Sequence, residues 1–303
     1  MRTKLKGGSL SGTYLIQAAT DYVRKECSSV DNREYGYMRW YSQLKRMQRY
    51  NRLFPGLFPQ VYGYGVDGIM AYYDMEVVPG VNGYEFLCYE QSQQAIRVFF
   101  NKLILAMTKM HSTQWKSPHK PDLYIQEEVR NKLMDYGARI GDFGLIFDFD
   151  DFKQELMQNY SETKECYTHG NLTLENVMYD PKTEKVTFID PYEENVIDSR
   201  LCDYSQILQS CHSHYEHHNS GSMDPVPTGL EYFYTLFHDT IYSNLSEKRK
   251  RVVDLLEISQ FIRMLPFKKQ AGHLAQADFF YSHAIKLFKQ YQIKWNPGTT
   301  SNL

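Results

Sequence analysis

Long apolar runs are missing from this chain. No stretch approaches the roughly 20 residues that a helix needs to cross a bilayer. Met1-Arg2-Thr3-Lys4-Leu5-Lys6 leads into Gly7-Gly8 with no apolar stretch of the signal-peptide kind. A charge excess of either sign is missing too. Lys and Arg number 34 against 36 Asp and Glu, a net charge of −2, which excludes bulk electrostatic attraction to nucleic acid or anionic lipid. Cysteine is scarce and odd in number, at five (Cys27, Cys88, Cys166, Cys202, Cys211), with no close pair. A disulfide framework is therefore not expected, and a reducing cytoplasm is. Internal repeats and low-complexity tracts are absent. What is plentiful is aromatic: 25 Tyr and 17 Phe in 303 residues. That is enough for a large packed core, as one domain or two modest lobes.

Residues 1–78 read as β-rich. A Gly/Ser-rich turn over residues 5–12 precedes strand patterns at 13–18 and 22–25, with a turn around Asp21 between them. Backbone N–H groups of such a turn approach anionic phosphates closely, and Ser9 and Ser11 beside Gly8 add donors. A plain hairpin turn accounts for the same residues. Lys25 ends the third strand in an apolar, aromatic setting. Tyr37/Met38, Tyr41 and Leu44 recur at helical spacing, which predicts a helix over residues 32–44 with Glu34 in its first turn. Alone, Lys25 reads as a solvated strand end and Glu34 as an acid favoured by the helix dipole. Together, and in this order after a glycine turn, they match a phosphate-binding lysine and its glutamate partner. Two more strand patterns, 60–64 and 69–78, flank Val66-Asp67-Gly68, and Pro79-Gly80 stops them. Further on, Gln93–His111 carries Ala95/Ile96, Phe99/Phe100, Leu103 and Met107 on one helical face, ending in His111, read as a satisfied structural histidine.

The centre of the chain carries the chemistry. His169-Gly170-Asn171-Leu172-Thr173-Leu174-Glu175-Asn176 lies between β-like segments 166–168 and 186–189, and the second ends in Asp190-Pro191. A His, a polar residue two on, an Asn five further and a strand ending in Asp form the layout of a kinase-type phosphoryl-transfer site. In that layout the polar residue lines up an acceptor hydroxyl, the Asn and Asp hold Mg²⁺, and the His braces the loop. Asp142-Phe143-Gly144 repeats a kinase metal-binding triplet, but it precedes the loop that the metal aspartate must follow, so Asp190 is the candidate. The nearby Asp148, Asp150 and Asp151 read as a solvated loop or helix cap.

The remainder is helical, with patterns at 228–242, 246–264 and 275–291. Asp203 reads as the opening of a helix. His212, His214, His217 and His218 read as part of a mobile loop, with metal binding the lesser alternative because no Cys or acidic set accompanies them. Lys248-Arg249-Lys250-Arg251 reads as the solvated face of a helix capped by Ser246, in preference to a nucleic-acid patch.

The His-Gly-x-Leu wording, in place of His-Arg-Asp, resembles the aminoglycoside phosphotransferase and choline kinase family. Its wording with Ile189-Asp190-Pro191 resembles members associated with bacterial capsule and surface-sugar metabolism. That resemblance implies an α+β, two-lobed, protein kinase-like fold: residues 1–78 as a nucleotide-binding lobe and 79–303 as a helical lobe with the catalytic loop. It implies ATP or GTP with Mg²⁺ as cofactors and a small sugar-like or amino-alcohol hydroxyl acceptor. Gly8, Ser9, Ser11, Lys25 and the backbone of Glu76 and Val78 would hold the nucleotide, and Glu34 would orient Lys25. Asn176 and Asp190 would coordinate the metal, and Asp203 would brace the loop. The family carries Asp where this chain has Asn171, which leaves three expectations: a slowed kinase, a nucleotide-binding pseudokinase that serves as scaffold or regulator, or a substitution engineered to trap a complex.

Overall fold

Strands dominate the N-terminal part and helices the C-terminal part. In chain order the elements are β1 (Arg2–Lys4), β2 (Gly12–Ile16), β3 (Tyr22–Ser28), α1 (Tyr37–Leu53), β4 (Val61–Asp67), β5 (Met70–Met75), β6 (Val81–Asn82), α2 (Gly83–Tyr89), α3 (Gln93–His111) and β7 (Gln114–Trp115). Then follow α4 (Pro121–Tyr124), a π-helical turn (Ile125–Arg130), α5 (Asn131–Tyr136), α6 (Phe149–Asn159), β8 (Glu165–Cys166), β9 (Val177–Asp180) and β10 (Lys185–Phe188). The chain ends in α7 (Arg200–Cys211), α8 (Tyr215–Asn219), α9 (Thr228–Phe237), α10 (Glu247–Gln270) and α11 (Leu274–Trp295). The computed structural model describes residues 1–5, 11–32, 36–115, 120–137, 147–160, 164–192, 195–221 and 224–296. It divides into two compact units, 1–110 with 169–195 and 227–229, and 111–168 with 196–226 and 230–303.

In the first unit a five-stranded antiparallel sheet runs in the order β1-β2-β3-β5-β4. Period-two burial makes β3 and β5 its centre: Val23, Lys25 and Cys27 alternate inward, as do Ala71, Tyr73 and Met75. On the other face Arg24 forks onto Asp74, its direct cross-strand partner, at 2.7 and 2.8 Å. Helix α1 buries Trp40, Leu44, Met47 and Tyr50, one stripe at three- and four-residue spacing, and the Trp40 ring lies 5.4 Å from that of Tyr73. A second sheet, β10-β9-β6, follows the break at Pro79-Gly80. Gly80 has φ +100°, and a Cβ there would lie 2.0 Å from the Tyr179 carbonyl oxygen, so only glycine lets β6 reach β9.

The second unit is helical around α10, which packs against α5, α6, α7 and α11. Val252, Val253, Leu255, Leu256, Ile258, Phe261, Ile262 and Leu265 are buried all round it, the mark of a central helix.

Several boundaries differ from the sequence expectation. Helix α1 begins at Tyr37, not residue 32, because Asp31 turns back to accept the Tyr37 N–H at 2.8 Å. The strand expected to run to residue 78 ends at Met75. Helix α10 continues past Pro266 to Gln270, since Leu265 and Lys268 are buried on either side and one lost hydrogen bond does not end it. Asp203 is not a cap: Ser199 caps α7 by accepting from the Leu201 N–H, and Asp203 lies inside the first turn. The histidine segment is not a loop, because Tyr215–Asn219 forms α8 and His217 is buried. Asp148 does cap α6, accepting from the Asp151 N–H at 3.0 Å. Among the described residues no helix is long and apolar enough to cross a membrane.

Candidate active site

The β9–β10 hairpin sets the geometry. Val177 pairs with Phe188, and the next step of the ladder is the Ile189 N–H donating to the Asn176 carbonyl at 3.0 Å. Asn176 and Asp190 therefore emerge side by side where the hairpin opens. Asp190 sits at φ +52°, a left-handed conformation that Asp tolerates better than most residues.

The loop before β9 is tied to this opening by His169, whose side chain is buried. Its Nδ1 accepts the Asn171 N–H at 3.2 Å, so its proton resides on Nε2, which donates to the Ile189 carbonyl at 2.8 Å. One neutral tautomer thus joins the loop to the strand that delivers Asp190. Phe58 stacks on the imidazole at 6.1 Å and Phe188 meets it edge-on at 5.7 Å. The Tyr192 N–H adds a bond to the His169 carbonyl at 2.9 Å. Gly170 has φ +76°, and a Cβ there would come within 2.3 Å of the Asn195 side chain. The Asn176 amide nitrogen donates to the Asn171 carbonyl at 2.8 Å and to Thr173 Oγ1 at 3.3 Å, so its Oδ1 is the atom left for a cation. Asn171 is half-buried.

Lys25 is buried in β3, and its Nζ donates to Asp190 Oδ1 at 2.9 Å; the two side chains are 3% and 38% exposed. A charge this buried needs a partner, and Asp190 supplies it. Across the sheet Lys25 pairs with Tyr73, whose phenol donates to Gln43 Oε1 at 3.2 Å, and Gln43 Nε2 donates to the Pro191 carbonyl at 3.1 Å. Burial and the neighbouring Asp190 charge push the Tyr73 phenol well up, so it stays a donor. A closed circuit results: Lys25, Tyr73, Gln43, Pro191, Asp190. Sequence reading missed Gln43 and Tyr73. The signal was a polar residue at position 43, within the apolar stripe of Trp40, Leu44 and Met47.

The other expected site residues fall as follows. Gly8, Ser9 and Glu34 lie outside the described residues, as does Asp142-Phe143-Gly144. No acid occurs within α1, Tyr37–Leu53. Ser11 precedes β2 and is half-buried. Glu76 leaves β5 with its N–H on the Gln60 carbonyl at 2.9 Å and its carboxylate accepting the Gln60 N–H at 3.2 Å; Val78 beyond it is half-buried. In the second unit His111 Nε2 meets Asp203 Oδ2 at 2.8 Å, both buried, which is the satisfied histidine expected there.

Mg²⁺ prefers hard oxygen donors and keeps several waters and phosphate oxygens. Asn176 Oδ1 and the part-exposed Asp190 carboxylate are donors of that kind, so the residues present fit the ion. Among the described residues no group of three or more His, Cys, Asp or Glu is placed to hold a metal ion.

The model of the phosphotransferase enzyme family matches residues 3–213. Among solved structures, an aminoglycoside-3'-phosphotransferase of type VIII is 17% identical, with a TM-score of 0.53 over 84% of this chain and 93% of that one. That level of identity speaks for the fold alone. The aminoglycoside phosphotransferase APH(3'')-Id from Streptomyces rimosus is 16% identical, with a TM-score of 0.48 over 84% and 92% of the two chains. No curated protein matches. The α+β kinase-like fold expected from the sequence is the fold observed.

Proposed function

Because the chain belongs to the phosphotransferase enzyme family, we propose that it transfers the γ-phosphoryl group of ATP to a hydroxyl of a small polar molecule, sugar-like or an amino-alcohol, in the cytoplasm. Residues 1–78 serve as the nucleotide lobe and 79–303 as the acceptor lobe in this reading. The observation that carries it is the Lys25–Asp190 pair at 2.9 Å beside Asn176. With nucleotide bound, Lys25 would turn from Asp190 to the phosphates, and Asp190 with Asn176 Oδ1 would hold the metal ion. Mg²⁺, when bound, supplies charge neutralisation at the β- and γ-phosphates. His169 holds the loop, and Asn171 orients the acceptor hydroxyl through its side-chain amide. The new O–P bond forms as the bridging P–O bond breaks; ADP leaves with that electron pair, and the hydroxyl proton passes to a phosphoryl oxygen or water. Positioning and charge neutralisation dominate such a loose transition state, so an amide at position 171 slows the step without forbidding it. Glu76 and Val78 offer backbone groups to the base, for ATP or GTP alike.

The test is phosphate transfer from γ-labelled ATP to a panel of sugars and amino-alcohols. Labelled product that disappears in Asp190→Ala is expected; no product from any acceptor together with intact nucleotide binding favours the second reading. That reading, a nucleotide-binding scaffold without turnover, is favoured by one observation, the amide at Asn171 where the resembling family has a carboxylate.

A further inference from the structure

The second unit holds a cavity of about 90 Å³ lined by Gln114, Lys164, Cys166, Arg200, Leu201 and Arg249. Three of these six residues are cations and none is a carboxylate. None of the three cations makes an ion pair with Asp or Glu among the described residues, whereas Arg263 and Arg251 of the same unit do. Their placement runs against ordinary helix electrostatics. Arg200 is the first residue of α7 and Arg249 lies in the first turn of α10. Cations at a helix N-terminus oppose the dipole, which favours anions there. Within the basic run at the start of α10, Arg251 is held by Glu247 and the Trp295 carbonyl, and Lys250 lies over the Tyr242 ring. Arg249 alone of that run lines the cavity. Gln114, opposite Cys166 in the β7–β8 ladder, adds an amide. Burial, with Asp203 and Asp198 nearby, raises the Cys166 thiol and keeps it protonated, so none of the six described lining residues is anionic.

We propose that this cavity is a second anion site that takes a single phosphate group. Its volume is far below the roughly 300–1,000 Å³ of sites that enclose whole small molecules, so a phosphate enters and any remainder of the ligand stays outside. Two guanidinium forks and an ammonium match three phosphate oxygens by charge-assisted hydrogen bonds. All the lining residues belong to the second unit, whereas Lys25, Asn176 and Asp190 belong to the first, so the two sites are separately removable.

Inorganic phosphate and glycerol 3-phosphate are each titrated by calorimetry, at fixed ionic strength, into the full chain carrying Lys25→Met, which removes the phosphate-binding lysine of the first unit. Saturable binding is expected, weakened about tenfold or more in Arg249→Gln, weakened likewise in Lys164→Gln, and retained in Arg249→Lys. Far-UV circular dichroism of each variant confirms that it is folded; Lys164 is exposed and Arg249 half-exposed, so at least one variant keeps the test open. Binding of phosphate alone assigns the site to the free ion, and binding of the ester as well assigns it to a phosphorylated metabolite. Either supports the site. No saturable heat with either probe, or heat unchanged in folded Arg249→Gln and Lys164→Gln, overturns it.

Discussion

Asn171 presents an amide at the position proposed to meet the acceptor hydroxyl. An amide hydrogen-bonds a hydroxyl but is no base near neutral pH. The position is two residues from His169, whose ring fixes the Asn171 backbone N–H at 3.2 Å, so Asn171→Asp places a carboxylate on a loop already held. We expect kcat to rise ~10²-fold or more, within the range of a positioned general base, with nucleotide affinity nearly unchanged. No gain across a panel of sugars and amino-alcohols moves the scaffold reading ahead. Gly170 makes a second test at this scale. Its φ of +76° and the 2.3 Å approach of Asn195 leave no room for a methyl group, so Gly170→Ala should lower the urea midpoint and kcat together. A variant with wild-type values for both contradicts the loop geometry.

At the scale of elements, α1 and the β9–β10 hairpin meet through Gln43. Its amide accepts from Tyr73 and donates to the Pro191 carbonyl, which holds the turn carrying Asp190 against the strand carrying Lys25. Gln43→Ala strands two buried polar groups and should cost roughly 1–3 kcal/mol, with KM for ATP raised several-fold. Tyr73→Phe removes one of the two bonds and should cost less. Equal, negligible effects from both would remove Gln43 as a positioning residue. The strand that delivers Asp190 was legible in the sequence because the apolar run 186–189 is a local signal, whereas its hairpin partner Val177–Asp180 was not marked. Gln43 was not, because its bonds join residues 30 and 148 positions away in the chain, and no local pattern reports a tertiary hydrogen bond. The start of α1 was misplaced for a related reason: Asp31 closes a turn through its backbone carbonyl, and a backbone acceptor leaves no residue-type signature.

At the scale of the whole molecule, the strand-then-helix order, the five-stranded sheet and the helix over 246–264 were legible from periodicity, whereas the burial of α10 all round was not. The histidines of the second unit were not. His214 and His217 pack ring to ring on His218, which meets His283 and Phe279, while His283 meets Phe261, and His283 is 65 residues beyond His218, outside any local pattern. Burial, reinforced by the neighbouring histidines, lowers His214 and His283 to about 4, and His218 shifts in the same direction. Between the unfolded value near 6.5 and a folded value near 4, the unfolded chain binds protons that the folded unit refuses. Stability is therefore full above about pH 6.5 and falls as pH drops through that window. His212 opposes this in part: Glu257 raises it, so its contribution is lost as pH rises. With two strongly lowered groups against one raised, Tm should be lower at pH 5 than at pH 7.5, and His283→Phe should reduce the difference. An unchanged pH difference in His283→Phe would contradict the role of this cluster.

The central claim is that Lys25, Asn176 and Asp190 form one nucleotide–metal site, and calorimetric titration of ATP addresses it most directly. The titration is run with and without Mg²⁺, on the unmutated chain and on Asp190→Ala. Expected is binding that Mg²⁺ strengthens in the unmutated chain, with that strengthening lost in Asp190→Ala. Equal affinity with and without Mg²⁺, unchanged by the substitution, contradicts it.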